Sequence, residues 1–97
     1  MRRDFKMFQD ILIMPHDNEL HVYSYFNRDL LHIVKLNEKI QIESYDEIVF
    51  LSGELKQNNI TKQLHLIDRN GFVCPIEFEK VYKKIWLIKD ESMFNKF

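Results

Sequence analysis

From Lys39 to Ile88, short segments of alternating apolar and polar residues are separated by turn residues, and Gly53 interrupts the most apolar of them. Alternation of period two places every second side chain on one face of a sheet. A glycine inside such a run weakens a flat strand but permits a sharp bend or bulge. Together these features predict a small, strongly bent antiparallel sheet of the SH3/Sm-like barrel type over residues 38–90, an architecture that serves binding more often than catalysis. Ninety-seven residues suffice for one such domain and leave no room for a second folded unit.

Around this segment the local signals are mixed. Phe5 to Met14 reads as a strand buried on both faces or as a short helix cut off by Pro15, and the strand is preferred. His16-Asp17-Asn18 is a polar turn, and Leu20, Val22 and Ser24 then alternate against His21, Tyr23 and Tyr25, which predicts an N-terminal hairpin. Asn27 is placed to cap a helix over Arg28–Leu36 with Asn37 at its C-terminal end, but Leu30–Leu36 reads equally as a strand. Residues 1–37 are thus a hairpin with at most one short helix. Farther on, Ile40 and Ile42 oppose Gln41 and Glu43, Tyr45-Asp46-Glu47 turns the chain, and Ile48–Leu55 is a strand. Lys56–Thr61 forms a polar loop and Leu64 and Leu66 a further strand. Asp68-Arg69-Asn70-Gly71 is the clearest turn, since Asn-Gly tolerates positive φ. Phe72, Cys74, Ile76 and Phe78 share a face of the next strand, which Pro75 assigns to an edge or a bulge. Glu79–Lys84 reads as one helical turn, Ile85–Ile88 as a closing strand, and 91–97 as a tail.

Fourteen basic and fifteen acidic side chains leave a net charge of −1, so any attraction for nucleic acid has to come from a local patch. The lone cysteine, Cys74, rules out an intrachain disulfide and multi-cysteine metal sites and is compatible with a reducing compartment. Charged and polar residues break the N-terminal segment, and no stretch reaches the roughly 18 apolar residues of a spanning helix. The expectation is a cytoplasmic protein with no membrane association. Alanine is absent while Ile, Phe, Lys and Asn number 11, 8, 10 and 7, the bias of an AT-rich coding sequence such as that of a low-GC bacterium, phage or mobile element.

The run Gly53-Glu54-Leu55, a polar loop, Leu64-His65-Leu66-Ile67-Asp68, Gly71, Ile76-Glu77-Phe78-Glu79-Lys80-Val81 and Ile85 resembles the C-terminal half of YolD-like proteins. The similarity covers residues 38–88 and consists of fold-forming positions. It implies a compact bacterial or phage-borne barrel in a family associated with DNA-repair operons and without an assigned enzymatic activity. The N-terminal half departs from that pattern, since the family looks largely helical there and this chain reads as strand-rich.

Residues with catalytic or ligating chemistry form no recognisable motif. His16, His21, His32 and His65 include no pair at the i, i+4 spacing of a helical metal face, and His32 follows Asp29 at i, i+3 only if a helix forms. No metal site and no cofactor are expected. Cys74 belongs to the inward set and reads as a buried thiol. Ser52-Gly53 lacks the flanks of a nucleophile elbow, two glycines cannot cradle a phosphate, and the pairs Asp46-Glu47 and Glu77/Glu79 read as solvated surface charge.

The remaining candidates are binding residues. Tyr23, Tyr25, Trp86, Phe94 and Phe97 are the aromatic residues placed to meet a protein partner, or alternatively to form a second small core under the hairpin. Arg69, Lys80, Lys83 and Lys84, with Tyr82 and Trp86 nearby, form the set for nucleic acid if Glu79–Lys84 is helical. The expected protein is a non-enzymatic protein-binding module, plausibly a phage or mobile-element accessory or inhibitor of a host protein. The alternatives are a weak nucleic-acid-binding accessory of DNA repair, and homodimerisation through exposed strand edges.

Overall fold

Alternation of apolar and polar residues is realised as eight strands in a computed structural model, which describes residues 5–45 and 50–88. They are β1 (Phe5–His16), β2 (Glu19–Ser24), β3 (Leu30–Lys35), β4 (Lys39–Ser44), β5 (Phe50–Gln57), β6 (Leu64–Ile67), β7 (Val73–Pro75) and β8 (Val81–Ile88). All join one antiparallel sheet in the order β3-β2-β1-β8-β4-β5-β6-β7. The last strand thus lies in the middle, zipping an N-terminal meander to a C-terminal one.

Two strands carry the bends that let this sheet enclose a core. β1 pairs with β8 through residues 5–12 and with β2 through residues 11–16, changing partner next to Asp10, which sits at φ 53° and breaks the ladder between Gln9↔Lys84 and Ile11↔Tyr82. β5 pairs with β4 up to Glu54 and with β6 from Glu54 onward, changing partner beside Gly53 at φ 153°. Gly53 thus stands where a bend or bulge is expected, and the requirement for glycine there is close approach. A Cβ there would lie 2.5 Å from the Ile67 carbonyl oxygen and 2.7 Å from its carbon.

The enclosed faces supply one hydrophobic cluster. Ile11, Ile13, Leu20, Val22, Val34, Ile40, Ile42, Leu55, Leu66 and Ile85 are wholly buried, with Tyr82 almost so. Each such aliphatic side chain contributes about 1.5–3 kcal/mol relative to an exposed one. The Phe8 and His32 rings, 6.2 Å apart, bring β3 back over the first half of β1. At the far end of the hairpin, Gln57 Nε2 donates to the Asp17 carbonyl.

Several expectations need correction. The described residues contain no helix: Arg28–Leu36, open between helix and strand in the sequence, contains β3, and Asn27 Oδ1 closes a local turn onto the Asp29 amide instead of capping a helix. Glu79–Lys84 is not a helical turn. Glu79 stands at φ 59° and the chain enters β8 at Val81. β8 is a central strand, paired on both sides, so the N-terminal hairpin belongs to the same sheet as residues 39–88.

Nor is the sheet closed. β3 and β7 end it with no ladder between them among the described residues. β7 has three residues and finishes in Pro75, which has no amide to donate, so it offers too little backbone to complete a ring. Pro75 therefore occupies an edge strand, as its chemistry requires. Of the four residues expected on one face there, Ile76 is buried and Cys74 and Phe78 are half-buried against the core, but Phe72 is 66% exposed.

Candidate functional site

The β1–β2 connection is a two-residue turn, Asp17–Asn18, so His16 stands directly opposite Glu19. Glu19 and His21 are two residues apart on one strand and share a face. The result is a polar cluster on the outward side of the hairpin. His21 Nε2 lies 3.3 Å from Glu19 Oε1, and its Nδ1 is 3.3 Å from the Tyr23 hydroxyl. The His16 ring stacks on that of His21 at 4.6 Å and 6°, with its Nδ1 3.6 Å from Asp17 Oδ2. One ligand atom from each of His16, Glu19 and His21 falls within 4.8 Å of the other two. A search for helical i, i+4 spacing passes over this group. The signal that finds it is His-x-x-Glu-x-His straddling a tight turn between alternating strands.

A second feature lies at the opposite end of β2. The chain turns at residues 25–29 through Arg28 at φ 64°, with Ser24 N donating to Asp29 O and Tyr25 N to Asp10 O. This turn lifts Tyr25 and Phe26 into solvent, 41% and 76% exposed, and Leu30 at the start of β3 is 48% exposed. The Tyr25 and Phe26 rings meet edge to face at 5.5 Å, and the Arg28 guanidinium lies 5.4 Å from the Tyr25 centroid.

The sequence-predicted residues are scattered over these features. Tyr25 belongs to the exposed turn, whereas Tyr23 is half-buried and bound to His21. Trp86 is half-buried on the outward face of β8 beneath Lys84, whose ammonium is 5.7 Å from the ring centroid. Phe94 and Phe97, like Asp46 and Glu47, lie outside the described residues. Lys80, Lys83 and Lys84 do not share the side of a helix. Lys80 precedes β8, reaches Glu77 at 3.3 Å and covers Tyr82, while Lys83 occupies a bulge between Glu43↔Lys84 and Ser44↔Tyr82. Arg69 stands apart in the turn between β6 and β7.

Two titratable groups of the C-terminal half are perturbed. Burial pushes the Cys74 thiol up, and the Asp68 carboxylate adds to the effect, which keeps the sulfur protonated and poorly nucleophilic. Burial also raises the Tyr82 phenol, against a smaller opposing effect of Lys80, and its hydroxyl donates a 2.7 Å hydrogen bond to the Glu77 carbonyl. Neither group faces the hairpin cluster. No helix among the described residues is long and apolar enough to cross a membrane.

No family model, curated protein or solved structure matches the chain. The fold and site therefore define a class, a small all-β domain of one open, bent antiparallel sheet, with an exposed aromatic turn at one end of its N-terminal meander and a histidine–carboxylate cluster at the other.

Proposed function

We propose that the protein is a small non-enzymatic binding module that takes up an extended segment of another protein along β3. The carrying observation is the asymmetry of the two sheet edges. β7 is three residues long and blunted by proline, whereas β3 offers six residues without proline or glycine; exposed apolar residues flank both edges, Tyr25, Phe26 and Leu30 at β3 and Phe72 and Val73 at β7. An added strand gains main-chain hydrogen bonds along the edge, and the neighbouring apolar side chains supply anchors. The finer SH3/Sm-like description of residues 39–88 is supported by the order β8-β4-β5-β6-β7, a four-strand meander that takes its last strand beside its first, and by the Gly53 bend. The AT-rich bias supports a phage or mobile-element accessory or inhibitor acting on a host protein, in keeping with the YolD-like resemblance.

Selection of peptides from a random library, followed by amide hydrogen exchange, tests the reading. Bound peptides are expected to slow exchange in β3 and to be lost on Phe26→Asp or Leu30→Asp. Peptides that bind without protecting β3, and that survive both changes, refute it. A second reading rests on Lys84 and Trp86, a cation over an aromatic face on the outward side of β8. It requires single-stranded nucleic acid to bind with a salt dependence that weakens on Lys83→Glu and Lys84→Glu.

A further inference from the structure

The histidine cluster at the tip of the β1–β2 hairpin is not used by strand addition on β3, and its donors suit a different ligand. We propose that His16, Glu19 and His21 form a binding site for a divalent transition-metal ion of the zinc type. Two imidazoles and one carboxylate are borderline nitrogen and oxygen donors, which favour zinc over the all-oxygen ions magnesium and calcium. A tetrahedral ion about 2.0–2.1 Å from each donor spaces its ligand atoms about 3.3 Å apart. His21 Nε2 and Glu19 Oε1 already stand 3.3 Å apart.

His16 completes the set from across the turn. Its ring lies parallel to that of His21, so the in-plane lone pairs of the two do not converge as they stand. The His16 side chain is 64% exposed, and a rotation about its side-chain bonds swings a nitrogen toward the other two donors. One group that fixes orientation is also in place: the Tyr23 hydroxyl lies 3.3 Å from Nδ1 of His21, an outer partner of the kind that holds a metal-bound imidazole in one tautomer and leaves Nε2 to coordinate. Three protein ligands leave a fourth position for water or for a donor from a partner. Because the ligands come from both strands of one hairpin, a bound ion also clamps the tip of β1 to the start of β2.

Titration of the tag-free full chain with Zn2+ at neutral pH, followed by calorimetry and by the thermal midpoint, tests the site. Saturable uptake of one ion per chain is expected, with a raised midpoint and no response to Mg2+. His21→Ala and Glu19→Gln should each weaken uptake by at least about tenfold, and Tyr23→Phe by a smaller factor. Glu19→Gln changes no volume, so its circular dichroism should match that of the parent and a loss of binding there is not a loss of fold. His65→Ala and Cys74→Ser should leave uptake unchanged. Absence of saturable uptake at millimolar Zn2+, uptake indifferent to His21→Ala and Glu19→Gln, or uptake abolished by Cys74→Ser would each overturn the assignment.

Discussion

Gly53→Ala adds a single methyl group at the point where β5 changes partner, and the structure determines what that methyl meets. Its Cβ would lie 2.5 Å from the oxygen and 2.7 Å from the carbon of the Ile67 carbonyl, and 3.1 Å from the Asp68 nitrogen. All three are backbone atoms, so no rotamer change relieves the contact. β6 has to move away from β5, weakening hydrogen bonds beside the Glu54↔Ile67 pair that contribute about 1 kcal/mol each. The backbone at φ 153° adds about 1–3 kcal/mol of strain for a residue with a side chain. The total is about 3–4 kcal/mol, in the upper range for a single substitution. A domain of this size is stable by about 5–15 kcal/mol. The loss should lower the thermal midpoint by about 15–25 °C and the urea midpoint by about 2 M. Gly71→Ala is the matched control: Gly71 also has positive φ, 87°, but an added Cβ there has nothing within 4 Å. That variant should lose only about 1–2 kcal/mol. Equal losses in the two variants, or a Gly53→Ala protein within about 1 kcal/mol of the parent, would refute the argument that close approach at Gly53 makes the bend.

Other consequences concern single groups. Tyr82→Phe removes the hydroxyl bonded to the Glu77 carbonyl and should destabilise by about 1 kcal/mol at neutral pH. Because burial raises the Tyr82 phenol, its stabilising contribution is complete below the ordinary tyrosine value of about 10 and is lost as pH climbs through the raised one. Urea melts at pH 8 and above pH 10 should therefore show a smaller alkaline loss in Tyr82→Phe than in the parent. Lys62→Gly relieves an exposed residue at φ 67° and should stabilise by about 0.5–1 kcal/mol, measured as a rise in urea midpoint at constant slope. Cys74, raised by burial and by Asp68, should react with a maleimide at neutral pH more slowly than a free thiol, the rate increasing with pH, whereas fast labelling would show that the sulfur is not screened.

Much of the strand content was legible because alternation is a local signal. Leu20/Val22, Ile40/Ile42 and Leu64/Leu66 each show period two, and all six residues are buried in the structure. The turn at Asp68–Gly71 was equally plain, closed by a 2.9 Å bond from the Gly71 amide to the Asp68 carbonyl with Gly71 at φ 87°. Leu30–Leu36 stayed ambiguous because Leu30, Leu31 and Val34 fit a helix and a strand alike, and pairing with β2 settles the choice. The lysines near residue 80 were misplaced for a related reason. Spacing on a helix says nothing once Glu79 takes a left-handed backbone and the chain extends into β8.

Composition and periodicity by themselves pointed to a strand-rich chain with a bend or bulge at Gly53 and an edge or bulge at Pro75, since each of these depends on backbone chemistry within a few residues. Only the tertiary structure decided that β8 runs through the centre, that no ladder joins β3 to β7 among the described residues, and that His16, Glu19 and His21 come together across a two-residue turn. Partner choice among strands is a matter of which distant faces bury each other. Loop closure brings those faces together over many residues, and no local pattern encodes it.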